Sequence, residues 1–112
     1  MRFFDAHCDT ILQVIEEGRD FFAGPGLHVT LEGLRRADVR AQVFACFVLE
    51  ARYPGRAREQ ALAFVQAVKD LCAAHPDDLL LADTPALVAS AFADARPVRR
   101  AVVLALEGAD PL

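Results

Sequence analysis

Apolar runs mark three places along the chain, and each ends where polar or glycine residues begin. Gln42–Leu49 and Ala101–Leu106 are continuous runs, rich in β-branched or aromatic side chains. Such short runs predict strands that are buried on both faces. Arg2–His7 is a shorter candidate strand of the same kind.

Helical signals fill the segments between these runs. From Arg56 to His75 apolar residues recur at helical spacing, and a proline stands just beyond each end, which predicts one long helix. Thr84 followed by Pro85 predicts another helix start, because a threonine hydroxyl caps free N–H groups and proline suits the first helical position. Weaker patterns predict short helices at Ile11–Glu17 and Leu31–Ala37, and a minor strand at Leu79–Leu81.

Alternation of strands and helices predicts an α/β fold with parallel strands joined by right-handed crossover helices. The 112 residues fit one small domain, and 54% of them are hydrophobic. A domain of this size buries that much apolar surface only when its elements are covered on both faces or when a partner covers the remainder.

Charge and cysteine content narrow the function classes. The net charge is −4 and the arginines are scattered, so we expect no nucleic-acid partner. The chain has neither the apolar core of a signal peptide nor a run of about 20 apolar residues, so we expect no membrane partner. Three cysteines without a C-x-x-C pair suit a reducing compartment, and they predict a cytoplasmic protein.

Polar side chains follow the predicted strands where parallel sheets collect their chemistry, at the carboxyl ends. His7 and Asp9 end the first strand, and Glu107 ends the third. If residues 2–9 are extended, His7 and Asp9 share a face about 6.6 Å apart along the chain, a spacing that one metal ion bridges. Cys8 then faces the other way, which argues against a thiolate ligand.

Other polar residues at these positions have plainer interpretations. Glu50 after the second strand is a solvated loop carboxylate, and Asp5 either orients a ligand or belongs to a turn. His28 and His75 are surface residues rather than ligands. Cys46 and Cys72 lie within apolar patterns and are inert packing residues.

Three stretches together resemble the membrane (renal) dipeptidase family of zinc metallopeptidases. They are Asp5–Thr10, Leu34–Phe44 and Ala105–Gly108. The resemblance implies the N-terminal part of a TIM-type (β/α)₈ barrel, with residues 1–112 as a single partial barrel domain, because a complete barrel takes roughly 250 residues. The sequence differs from the usual family pattern at Thr30, Ala37 and Ala109, where aspartate, glycine and glycine are common.

By this resemblance, His7 and Asp9 bind one zinc ion and Glu107 bridges it to a second. The remaining ligands and the catalytic residues would lie beyond Leu112, so the resemblance implies at most a partial Zn²⁺ site and no activity from this portion alone. It further implies dipeptide substrates, with tolerance for a D-residue at the C-terminal position. A homodimer, or the remainder of the barrel, is the implied macromolecular partner.

Two alternatives remain open from the sequence. Another amidohydrolase-like metal hydrolase would act on a cyclic amide, a base or a phosphoester, although such enzymes more often carry H-x-H than H-x-D at the first strand. A non-catalytic α/β binding or assembly domain would explain the apolar composition, because exposed strand edges and faces need a partner.

Overall fold

A four-stranded parallel sheet forms the centre of the computed structural model, which describes residues 1–94 and 98–112. Its spatial order is β1-β2-β4-β3. The strands are β1 (Phe3–Cys8), β2 (Val39–Phe47), β3 (Leu79–Leu81) and β4 (Arg100–Glu107). The predicted α/β class is therefore confirmed, and the arrangement is compatible with part of a (β/α)₈ barrel.

Helices connect these strands, as parallel neighbours require. They are α1 (Thr10–Glu16), α2 (Leu31–Arg36), α3 (Ala57–Ala74) and α4 (Pro85–Ser90), and Glu50–Arg52 forms a 3₁₀ turn. Threonine caps two of them. The Thr84 hydroxyl accepts from the Leu87 N–H at 3.3 Å, as predicted, and the Thr30 hydroxyl accepts from the Gly33 N–H at 3.0 Å, which the sequence pattern did not predict. Threonine therefore supplies the cap where the family commonly has aspartate.

The second strand begins and ends earlier than its apolar run predicts. It spans Val39–Phe47 rather than Gln42–Leu49, because residues 39–41 already pair with β1. Val48 and Leu49 leave the ladder as the chain enters the 3₁₀ turn. Backbone pairing, rather than side-chain hydropathy, sets both ends.

For the first strand, the prediction of burial on both faces was wrong. Phe3 is 47% exposed and Phe4 50% exposed, because β1 is an edge strand that pairs only with β2 among the described residues. At the opposite edge, β3 pairs with Arg100–Val102 of β4. The rest of β4, Val103–Glu107, has only β2 as a neighbour in the part of the chain that the structure describes.

The two faces of the sheet are covered differently. On one face, Phe44 and Val102 pack with the buried residues of α1, α2 and α3. On the other, α4 packs over Ala41 and Ala101 near the strand starts. Alternation along β4 places Glu107 on the same face as Ala101, beyond the reach of α4. This uncovered end of the second face carries the candidate site.

Candidate metal site

Three predicted residues meet at the carboxyl end of the sheet. His7 lies on β1, Asp9 follows it, and Glu107 ends β4, with β2 between the two strands. The Nε2 atom of His7 lies 3.3 Å from an Asp9 carboxylate oxygen and 3.4 Å from a Glu107 carboxylate oxygen. One ligand atom from each residue lies within 4.8 Å of the other two. Residues about a hundred positions apart therefore form one cluster.

Asp9 reaches His7 through a turn, whereas the sequence predicts an extended segment. The strand ends at Cys8, and Asp9 is the N-cap of α1 with φ −102° and ψ 13°. β1 also shifts register between Asp5 and Cys8, which pair with Gln42 and Phe44. The assumption that residues 2–9 are extended was wrong, yet the turn brings the carboxylate against the imidazole. Asp9 makes no side-chain capping hydrogen bond, which leaves its carboxylate available.

Backbone features hold the cluster from both sides. The Asp5 carboxylate accepts a hydrogen bond from the His7 N–H at 3.2 Å, so Asp5 fixes the backbone that carries the imidazole. After Glu107 the chain turns at Gly108, whose φ of +83° favours glycine. Ala109 is not among the described residues with positive φ, and Ala37 has φ −87°. Alanine at these two family glycine positions is therefore unstrained.

A cleft of about 400 Å³ opens beside the cluster. Its lining includes Asp5, His7 and Asp9, together with Gln13 of α1 and His28. The sequence interpretation placed His28 on the surface, and its side chain is indeed exposed, but it shares this cleft with the candidate ligands. Its spacing from His7 along the chain gave no signal of this proximity, because the loop 18–30 has no regular period.

Glu50 and the cysteines lie outside the cluster. The Glu50 carboxylate accepts a hydrogen bond from the Gly55 N–H at 2.8 Å, so it stabilises the turn before α3. Cys8 is buried in the core with Ile11, on the side away from the His7 imidazole. Cys46 and Cys72 are buried as well, and burial raises the pKa of both thiols. None of the three is poised as a thiolate.

Cys72 makes the stability of the fold sensitive to alkaline pH. Burial raises the pKa of its thiol from 9.0 to about 11, so the folded state keeps a proton that the unfolded chain releases. The contribution of the protonated Cys72 thiol to the free energy of unfolding is complete below pH 9.0. It is lost as the pH rises through the folded pKa. We expect urea unfolding to show less loss of stability in Cys72→Ala than in the wild type between about pH 8.5 and about pH 10.5. Identical pH profiles would contradict this expectation.

The spacing and chemistry of the three side chains suit a divalent metal ion. Zinc takes imidazole nitrogen and carboxylate oxygen at about 2.0–2.2 Å, so two ligands of a tetrahedral ion lie about 3.3–3.6 Å apart. The two distances from His7 Nε2, 3.3 Å and 3.4 Å, fall in that range. Three protein ligands with an open fourth position are typical of a catalytic zinc site. The donor set therefore fits the ion that the resemblance implies.

Comparison with known proteins gives one family. The sequence model of the membrane dipeptidases, peptidase family M19, matches residues 1–112. A search of curated proteins finds no significant match. Among the described residues, no helix combines the length and the apolar character needed to cross a membrane.

Proposed function

Because this chain belongs to the membrane dipeptidase family, peptidase family M19, we propose that it forms the first metal-binding portion of a zinc-dependent dipeptidase. The observation that carries the proposal is the convergence of His7, Asp9 and Glu107 at the carboxyl end of a parallel sheet. This is the end at which α/β barrels build their active sites. The family supplies the class of reaction, the hydrolysis of a peptide bond.

Each of the three residues has a distinct part in the proposed site. His7 supplies the nitrogen donor, and its backbone is fixed by Asp5. Asp9 supplies an oxygen donor from the first turn after β1, and Glu107 reaches the same point from β4. With two carboxyl oxygens, Glu107 can serve a second ion beside the first. When bound, zinc in such a site would supply a water of lowered pKa and a Lewis acid for a carbonyl oxygen.

The proposed substrate is a dipeptide, and the proposed reaction needs more groups than this chain supplies. Three side chains complete the protein ligands of one ion, not of two. We therefore expect the 112 residues alone to be inactive. The intact enzyme, of which this chain forms the first portion by resemblance, should hydrolyse dipeptides in the presence of zinc.

A hydrolysis panel tests this function on the intact enzyme. It would contain dipeptides with L- and D-residues at the C-terminal position, a cyclic amide and a phosphoester. We expect cleavage of dipeptides alone. For Glu107→Gln we expect a loss of at least about 100-fold in kcat/KM, because removing one charged donor weakens the binding of the ion and its activation of water. Cleavage of the cyclic amide or the phosphoester with dipeptides untouched would support the other metal hydrolases instead.

The partner and the compartment are proposed on separate observations. Phe3 and Phe4 on β1 and Leu106 on β4 are each about half exposed, and edge strands with such side chains are normally covered. We propose that the remainder of the barrel covers them and that the complete protein is a homodimer. Three buried cysteines without disulfides support a cytoplasmic location.

A further inference from the structure

Two buried arginines stand side by side at the amino end of the sheet, opposite the metal site. Arg40 is 6% exposed and Arg100 is 7% exposed. The residues that follow them, Ala41 and Ala101, are register partners in β2 and β4, so the two arginines lie next to each other near the starts of neighbouring strands. Fully buried arginines are rare unless they are paired, and two adjacent ones concentrate positive charge in a small volume.

The nearby carboxylates do not hydrogen-bond the Arg100 side chain in the part of the chain that the structure describes. Asp38, Asp78 and Asp94 each form an ion pair with a different arginine. These pairs are Arg40–Asp38, Arg35–Asp78 and Arg2–Asp94. Among the described residues, the Arg100 side chain donates no hydrogen bond, and its buried Nε atom has no partner. Only its backbone N–H is used, donating to the Asp78 carbonyl at 2.7 Å.

Burying the guanidinium groups of Arg40 and Arg100 next to each other lowers the stability of the fold. Burial and the charge of Arg40 lower the pKa of the Arg100 guanidinium, while the carboxylates of Asp38 and Asp78 act in the opposite direction. A buried guanidinium N–H without an acceptor lowers stability, because lost hydration is not replaced. Arg40 already uses Nε for Asp38 and Nη1 for the Ala91 carbonyl, at 2.6 Å and 3.2 Å. Among the described residues, the element that is missing is an acceptor for the buried Nε atom of Arg100.

We propose that Arg100, with Arg40 beside it, binds a small phosphate-class oxoanion at the amino end of the sheet. The planar guanidinium fork of arginine matches phosphate oxygens in a bidentate fashion. A tetrahedral oxoanion presents oxygens in several directions and so accepts from guanidinium groups on two neighbouring strands, whereas a carboxylate presents both of its oxygens in one plane. The site lies about 23 Å from Glu107, seven residues along β4. It is independent of the proposed hydrolase site.

Thermal unfolding in inorganic phosphate tests this site. The protein is kept in EDTA, so phosphate cannot act through a bound metal, and it is compared in chloride at the same ionic strength. We expect phosphate to raise Tm in a saturable manner in the wild type. Arg99→Gln, which removes the exposed neighbouring arginine, should keep the whole rise. Arg100→Met should lose it, and Arg100→Lys should bind phosphate at least about tenfold more weakly in calorimetric titration.

Measurements in chloride and in acetate distinguish the proposed phosphate site from a purely structural role of Arg100 and from a carboxylate site. In chloride, Arg100→Met should melt no lower than the wild type, because an apolar side chain replaces a buried charged group whose Nε atom has no acceptor. A lower Tm for Arg100→Met in both salts, with no saturable effect of phosphate, would show that Arg100 has a purely structural partner and would overturn the proposal. Acetate at the same concentration should give little or no rise. A rise equal to that in phosphate would contradict the phosphate class and indicate a carboxylate site.

Discussion

Replacing His7 with alanine is expected to abolish zinc binding by this chain. The imidazole is the only nitrogen donor of the cluster, and its Nε2 atom lies within 3.4 Å of both carboxylates. Loss of an outer-sphere partner typically weakens metal binding 10–100-fold, so loss of a direct ligand should weaken it by more than about 100-fold. Asp9→Asn and Glu107→Gln should weaken binding too, because a neutral amide is a poorer zinc donor than a carboxylate.

Metal analysis after dialysis against zinc-free buffer measures this effect. His28→Ala is the matched control, because His28 lines the same cleft but lies outside the three-residue cluster. We expect zinc in the wild type and in His28→Ala, and none in His7→Ala. Zinc retained by His7→Ala would place the ion elsewhere. A wild-type protein that unfolds cooperatively but holds no zinc would show that the three side chains do not form a metal site in this chain.

Phe64→Ala is expected to produce the largest loss of stability among core substitutions in α3. The Phe64 ring is fully buried and packs with Cys46 and Val48 beyond the middle of β2. Truncating a buried phenylalanine to alanine typically costs about 3–5 kcal/mol, because it removes apolar burial and leaves a cavity. For a domain with a total stability of about 5–15 kcal/mol, this is a large fraction.

Urea unfolding of Phe64→Ala beside Leu62→Ala isolates the effect of burial. Leu62 lies two residues away on the same helix but is 61% exposed, so its truncation should change the free energy of unfolding by about 0.5 kcal/mol or less. The midpoint should fall sharply for Phe64→Ala with little change in the slope of the transition. Equal losses for the two variants would show that the exposed face of α3 is covered in the protein, as it would be by a partner.

Strand pairing explains why the metal cluster needs an ordered core. Glu107 reaches His7 only because β2 holds β1 on one side and β4 on the other. Phe64 packs under the end of β2 nearest the site. We therefore expect Phe64→Ala to weaken zinc binding as well, although Phe64 touches none of the three side chains in the cluster.

Much of this architecture could be predicted from local patterns. The long helix is predicted to within one residue at each end, because its apolar positions repeat at the helical period and prolines stand beyond both ends. Thr84 and Pro85 mark the start of α4 for equally local reasons. The three candidate ligands can be predicted from apolar runs, because a buried parallel strand consists of apolar residues. Polar residues follow at the carboxyl end of such a strand.

The sequence by itself determined the elements, the α/β class and the identities of His7, Asp9 and Glu107 as candidates, because periodicity, capping and strand ends are written in neighbouring residues. Only the tertiary structure decided that β3 pairs with the first half of β4, that Asp9 reaches His7 through a turn, and that His28 shares their cleft. It also decided that Arg40 and Arg100 lie together. These features depend on contacts between residues far apart in the chain, and such contacts leave no local period to recognise.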